Sequence, residues 1–158
     1  MIKKLGAAAL AAVWLATPAL AAEKLTIETS KGCSFDIKLR PDLAPKHVAQ
    51  ITKLASSGFY DGIVFHRVID GFMAQTGDPT GTGAGDSSEP NLPAEFSNEH
   101  FTRGVVGMGL TPDDDNSANS QFFVTFAEAS HLDNKYTVWG NVDETGMACV
   151  DKLEKGEP

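Results

Sequence analysis

The sequence predicts a mainly β fold, a closed antiparallel β-barrel capped by two short helices. Three observations carry that expectation. Short runs with period-two alternation of apolar and polar residues recur along the chain, clusters of Gly, Pro, Asp and Ser separate them, and only two stretches carry an apolar stripe at helical spacing.

In chain order, Met1–Ala21 has Lys3 and Lys4, an apolar run from Leu5 to Ala16, Pro18 and the small-residue site Ala19-Leu20-Ala21. This is the pattern of a secretory signal peptide, and the apolar core is shorter than the ~20 residues a membrane span needs. Cleavage after Ala21 leaves 137 of the 158 residues, 22–158, as one domain.

Lys24–Thr29 alternates Leu25 and Ile27 with polar residues, Ser30-Lys31-Gly32 turns, and Cys33–Leu39 alternates again, so the domain opens on a β-hairpin. Arg40-Pro41-Asp42 breaks the strand. Pro45 suits the first turn of a helix, with Val48, Ile51, Leu54 and Ala55 on one stripe until Gly58.

Val64–Ile69 and the run from Phe72 flank the turn signal Asp70-Gly71 and make a central hairpin. Beyond it, 78–93 is a long surface loop. Its GTGAG at Gly81–Gly85 is not followed by a helix start, and Asp86 and Glu89 would repel a phosphate. Glu95-Phe96 and Gly104–Met108 read as two short strands. The acidic loop Thr111–Asn116 lacks the spacing and terminal glutamate of an EF-hand. Gln121–Phe126 and Val138–Val142 are further strands, and Met147–Lys155 is a short helix striped by Met147, Val150 and Leu153.

The central hairpin sets a problem. Alternation puts Arg67 on the face of Phe65 and Ile69, where an unpaired guanidinium would be costly to desolvate. It needs a partner, such as Asp70 in a structural ion pair, or a chemical role. A two-residue loop would set Arg67 opposite Ala74. A three-residue loop of Asp70, Gly71 and Phe72 would set it opposite Gln75 and project Phe72 from the tip. Only the second register builds a site, with Gln75 holding Arg67 and Phe72 and Met73 as apolar walls.

These motifs resemble a known family. FHRVIDGFMAQTGD at Phe65–Asp78, GTGAG, SQFFVTF at Ser120–Phe126 and LDNKYTVWG at Leu132–Gly140, in this order, closely resemble the cyclophilins, the cyclophilin-type peptidyl-prolyl cis-trans isomerases. The resemblance implies roughly eight strands closed into a barrel with a helix over each mouth. Such proteins end on a strand that pairs with the first. This chain stops at Glu157-Pro158, so the expectation is a barrel without its closing strand and with Lys24–Thr29 at an exposed edge.

The resemblance also assigns roles. Arg67 and Gln75 are the catalytic pair, Gln75 orienting the arginine. Phe72, Met73, Phe123 and Leu132 wall the proline pocket, Gln121 contacts the substrate backbone, and Gly109 and Leu110 offer it main-chain groups. Tyr136 holds a rim position often occupied by histidine. His131 stands where many cyclophilins carry a tryptophan that helps bind cyclosporin, which puts affinity for that drug in doubt. His66, on the opposite strand face from Arg67, reads as structural.

Prolyl isomerisation makes and breaks no covalent bond, so neither a nucleophile nor a metal is required and no cofactor is expected. Its barrier is amide resonance, ~18–20 kcal/mol. A donor aimed at the prolyl nitrogen localises its lone pair, and arginine suits this because it stays charged and presents a rigid fork. A rate gain of ~10⁵ needs about 7 kcal/mol, whereas one charged hydrogen bond supplies ~1.5–3 kcal/mol. A dry, preorganised pocket must supply the rest.

The expected partners are proline-containing peptides and unfolded protein segments. Net charge is −8, and −10 without the leader's two lysines, which argues against nucleic acid and anionic membranes. The expected location is periplasmic or secreted, and the expected state a monomer. Cys33 and Cys149 are too far apart in sequence for a redox or zinc motif. In an exported protein they could pair across a loop of more than a hundred residues, or remain small buried thiols. Two other function classes compete with the isomerase. A binding module or chaperone would use the same groove without turnover. A hydrolase would need a nucleophile beside a base, which no G-x-S-x-G, H-E-x-x-H or paired-carboxylate pattern supplies.

Overall fold

A computed structural model describes residues 23–158; the predicted leader, Met1–Ala21, lies outside them. The elements are β1 (Lys24–Glu28), β2 (Ser34–Leu39), α1 (Pro45–Ser56), β3 (Arg67–Ile69), β4 (Met73–Thr76), β5 (Val105–Met108), β6 (Phe122–Thr125), a 3₁₀ turn at Ser130–Leu132, β7 (Val138–Asn141) and α2 (Glu144–Val150). All seven strands form one antiparallel sheet in the order β1-β2-β7-β5-β6-β4-β3.

The sheet curls strongly but does not close. The expected closed barrel is therefore corrected to a half-barrel with β1 and β3 as its edges. The chain beyond α2 runs to β3 rather than to β1: Val68 and Gly156 exchange two backbone hydrogen bonds, at 2.8 and 2.9 Å. That single paired residue leaves the gap between β1 and β3 unbridged among the described residues.

Strand alternation divides the apolar residues into two clusters. On the inner face Phe35, Ile37, Val68, Ala74, Val106, Phe122, Val124 and Trp139 pack with Val48 and Ile51 of α1 and Met147 and Val150 of α2. Both helices thus bury their stripes in the curl of the sheet. On the outer face Met73, Val105, Phe123 and Val138 join Phe101, Ala129 and Leu132 from loops. A sheet apolar on both faces can place a site on its outside without losing its core.

Two local expectations need correction. Glu95-Phe96 is not a strand. The N-cap of α1 is Ala44, whose side chain can accept nothing, and the Glu95 carboxylate takes over, accepting from the Lys46 and His47 backbone N–H groups (each 3.0 Å) and pairing with His47 Nδ1 at 2.6 Å. It satisfies the orphan donors of the first turn with a residue distant in sequence. Burial pushes the His47 imidazole down, towards its neutral form.

Helix α2 begins at Glu144 and ends at Val150, earlier at both ends than expected. Asp143 caps it, accepting from Gly146 N–H at 2.8 Å. Its Cys149 is joined to Cys33 in a disulfide with Cα atoms 5.8 Å apart, tying α2 to the start of β2 across 116 residues. Of the two fates left open for the cysteines, pairing is the one observed.

Candidate active site

The β3–β4 hairpin has the three-residue loop. Arg67 pairs with Gln75, Val68 with Ala74 and Ile69 with Met73. Gly71 takes φ 68°, a left-handed conformation that an L side chain resists, and Phe72 N–H closes the turn on the Ile69 carbonyl.

This register extends across the sheet. Arg67 of β3 stands opposite Gln75 of β4, Gln75 opposite Phe123 of β6, Phe123 opposite Gly107 of β5, and Gly107 opposite Val138 of β7. One transverse row therefore carries a cation, an amide, an aromatic ring and a gap. Gly107 is glycine because a Cβ there would lie 2.6 Å from Phe123 Cζ and 2.7 Å from Phe101 Cε1. The gap lets Phe101 and Phe123 stack at 5.6 Å over the strand, with Tyr136 edge-on to Phe123 at 5.6 Å.

The predicted walls come together. Met73, Phe123 and Leu132 are buried in one cluster, with Phe72 and Tyr136 packed against it. His131 is exposed at the rim, its ring 5.3 Å from that of Phe72. The turn carrying His131 and Leu132 is braced by Asp133, which accepts from Phe101 N–H at 2.8 Å and pairs with His100 Nδ1 at 2.7 Å. The His100 contact, with the Phe101 N–H, holds the Asp133 carboxyl below its usual range.

The polar side of the row differs from expectation in one respect. Gln75 does not hold Arg67. Its Nε2 donates to Gln121 Oε1 at 2.9 Å, and Gln121 Nε2 donates to the carbonyls of Gly83 (3.0 Å) and Gly85 (2.8 Å). Two carbonyls can face only the NH₂ end of an amide, so they fix the orientation of Gln121 and through it that of Gln75. Arg67 Nε instead donates to Glu157 Oε1 at 3.1 Å. The Arg67 side chain is 40% exposed, so the guanidinium is at the mouth of the site and not desolvated, and Asp70 is not its partner.

The loop that supplies the two carbonyls is itself organised by Asp78, which is 1% exposed. Its carboxylate accepts from the Thr80 N–H and hydroxyl (each 2.7 Å), the Thr82 N–H (3.1 Å) and the Gly83 N–H (2.6 Å). Burial opposes the charge, but these donors outweigh it and hold the carboxyl well below the usual range. The GTGAG segment is thus a nest around the chain's own carboxylate.

Gly109 succeeds β5 beside the site, and its N–H donates to the Gln121 carbonyl at 2.9 Å. The group it can offer a peptide is its own carbonyl; Leu110 is half-buried next to it. His66 precedes β3, so strand parity does not govern it. It is buried but borders the same cavity as Arg67 and Gln75, next to Gly83, rather than lying on the opposite face. Neither of its ring nitrogens is partnered among the described residues, and burial lowers its pKa. Sequence reasoning missed Phe101, Asp78, Asp133 and Glu157. A glycine inside the strand run Val105–Met108 was the one local signal for the aromatic stack.

A family model for the cyclophilin-type peptidyl-prolyl cis-trans isomerases matches residues 24–158. A Brucella suis protein described as a probable peptidyl-prolyl cis-trans isomerase is 50% identical over 145 residues, covering 85% of this chain and 73% of its own. The mouse peptidyl-prolyl cis-trans isomerase-like 3 is 44% identical over 137 residues, covering 83% and 81%. The crystal structure of a cyclophilin-type isomerase from Cryptosporidium parvum, solved in the presence of the dipeptide Ala-Pro, superposes with a TM-score of 0.77 at 30% identity, covering 83% of this chain and 84% of that one. On the family match, these relatives and the shared fold, the chain belongs to the cyclophilin-type peptidyl-prolyl cis-trans isomerases.

Proposed function

We propose that this isomerase acts outside the cytoplasm on proline-containing segments of unfolded proteins, with Arg67 as the catalytic donor and the outer-face aromatic slot as the proline pocket. The observation that carries the assignment is the transverse row, in which Arg67, Gln75 and Phe123 stand on adjacent strands. A pyrrolidine ring seated against Phe72, Met73, Phe123 and Leu132 brings its nitrogen to the Arg67 end of the row. As the amide twists, the nitrogen turns pyramidal and its lone pair becomes an acceptor, so the guanidinium binds the transition state better than either planar isomer. Gln75 and Gln121, held by the loop carbonyls, take the flanking backbone, and Gly109 and Leu110 border the same strip.

The slot supplies the stabilisation that the single hydrogen bond cannot. Ordered rings braced on the sheet hold the proline without further cost of organisation, while the peptide on the other side of the bond stays free to rotate. The dipeptide present with the Cryptosporidium relative supports proline peptides as ligands. His131, smaller and more polar than tryptophan, leaves the rim more open, so cyclosporin should bind weakly.

Export is supported by two features of different kinds, the leader-like Met1–Ala21 and the Cys33–Cys149 disulfide, a bond that persists in oxidising compartments. After removal of the leader, 22–158 works as a monomeric domain on this reading.

The test has two arms. Exchange spectroscopy on a proline peptide should show cis-trans exchange accelerated by catalytic amounts of protein. Binding without acceleration would instead support a chaperone or binding module. Intact-mass analysis of protein recovered from the producing cell's envelope should give an N-terminus at Ala22, and a full-length cytoplasmic product would contradict export.

A further inference from the structure

We propose that Glu157 is a positioning residue for Arg67, holding the guanidinium by its side edge so that its end faces the substrate; this rests on the reading of Arg67 as the catalytic donor. Gln75, the residue expected to hold Arg67, has its amide committed to Gln121, and Gln121 is committed in turn to two loop carbonyls. The one hydrogen bond Arg67's side chain makes among the described residues runs from Nε to Glu157 Oε1, at 3.1 Å.

The contact is built into the backbone. Gly156 exchanges two hydrogen bonds with Val68, the neighbour of Arg67 on β3, and so delivers the next residue, Glu157, alongside the arginine. A cavity of about 620 Å³ opens beside the pair, and Arg67, Gln75, Thr82, Gly83, Glu157 and Pro158 line it. A carboxylate at Nε leaves both Nη groups for the prolyl nitrogen, and the planar fork turns a restraint at one edge into a direction at the other. Both side chains are substantially exposed, 40% and 59%, so the pair adds little to stability and its effect falls on where the cation points.

The experiment compares the wild type with Glu157→Ala, Glu157→Gln and Arg67→Ala, measuring kcat and KM separately on a proline peptide and following the Arg67 Nε–H resonance by NMR. In Glu157→Ala kcat should fall about threefold to fivefold, the range set by a weak exposed pair, with KM and the melting temperature unchanged. The Arg67 Nε–H signal should move upfield and exchange faster with water. Glu157→Gln keeps an acceptor and should recover more than half of the lost rate. An unchanged or higher kcat in Glu157→Ala, beside an active wild type and an impaired Arg67→Ala, would overturn this inference alone. An inactive wild type, or full activity in Arg67→Ala, would overturn the catalytic reading and this inference with it.

Discussion

Removing the Asp78 carboxylate should damage the site from beneath, although no atom of Asp78 need touch substrate. In Asp78→Ala four donor contacts lose their acceptor. Hydrogen bonds to a charged group contribute ~1.5–3 kcal/mol each, but Thr80, Thr82 and Gly83 are exposed and water can replace much of what they lose. The net loss should be about 2–3 kcal/mol, less than the sum of the separate bonds, which for a chain of this size is a fall of roughly 7–10 °C in Tm. The loop carbonyls of Gly83 and Gly85 then no longer fix Gln121, and Gln75 loses its orientation. A misplacement of this kind should lower kcat/KM about tenfold.

The assays are a thermal melt and peptide exchange spectroscopy. Asp78→Asn should be nearly as harmful, because one amide terminus would turn N–H groups toward N–H donors. An Asp78→Ala protein with unaltered Tm and turnover would refute the relay.

The same group predicts a pH signature. Burial opposes its charge, but the Thr80 and loop donors depress its folded pKa below the unfolded value of ~3.9. Its contribution is therefore complete above that unfolded value and lost as pH falls through the folded one. Wild type should be indifferent to Asp78 titration between about pH 5 and 8, and part of its loss of stability in acid should be missing in Asp78→Ala.

Two further perturbations separate the core from the site. Reducing Cys33–Cys149 releases a closure spanning 116 residues, worth about 4–5 kcal/mol on the chain-entropy model, so Tm should fall by roughly 15 °C with turnover nearly intact below the melt; equal melts with and without reductant would contradict this. Gly107→Ala inserts a methyl against the Phe101 and Phe123 rings, and should cost ~1–3 kcal/mol of stability while weakening proline-peptide binding in an NMR titration. Undiminished affinity would show that Phe123 is not a wall of the pocket.

Much of the site could be read before the structure because its parts are local or periodic. The Asp70-Gly71 turn signal and strand parity together allowed only two hairpin registers, and the one that makes chemical sense is the one formed. Pro45 and the Val48-Ile51-Leu54 stripe marked α1 for the same reason. The features that escaped prediction are non-local. Glu95 looked like part of a short strand because two residues cannot reveal that a carboxylate is needed at a helix N-terminus far behind them in the chain. Asp143, the cap of α2, lies ahead of the apolar stripe, which begins only at Met147 and so does not mark the first turn. Arg67 and Glu157 meet across 90 residues, through a backbone pairing that no alternation pattern announces. The number of short strands and the family resemblance both predict barrel closure, but neither alternation nor motif order shows whether two edge strands meet, and in this structure β1 and β3 stay apart.

The central claim, that a guanidinium at the end of an apolar row drives the rotation, is tested most directly by line-shape analysis of a proline peptide with wild type, Arg67→Ala and Arg67→Lys at matched saturation. Peptide affinity should change little, because the slot is intact in all three. Turnover should fall at least tenfold in Arg67→Ala, the loss of one charged hydrogen bond, with only partial recovery in Arg67→Lys, whose point charge lacks the planar fork. Wild-type exchange rates in Arg67→Ala would contradict the account.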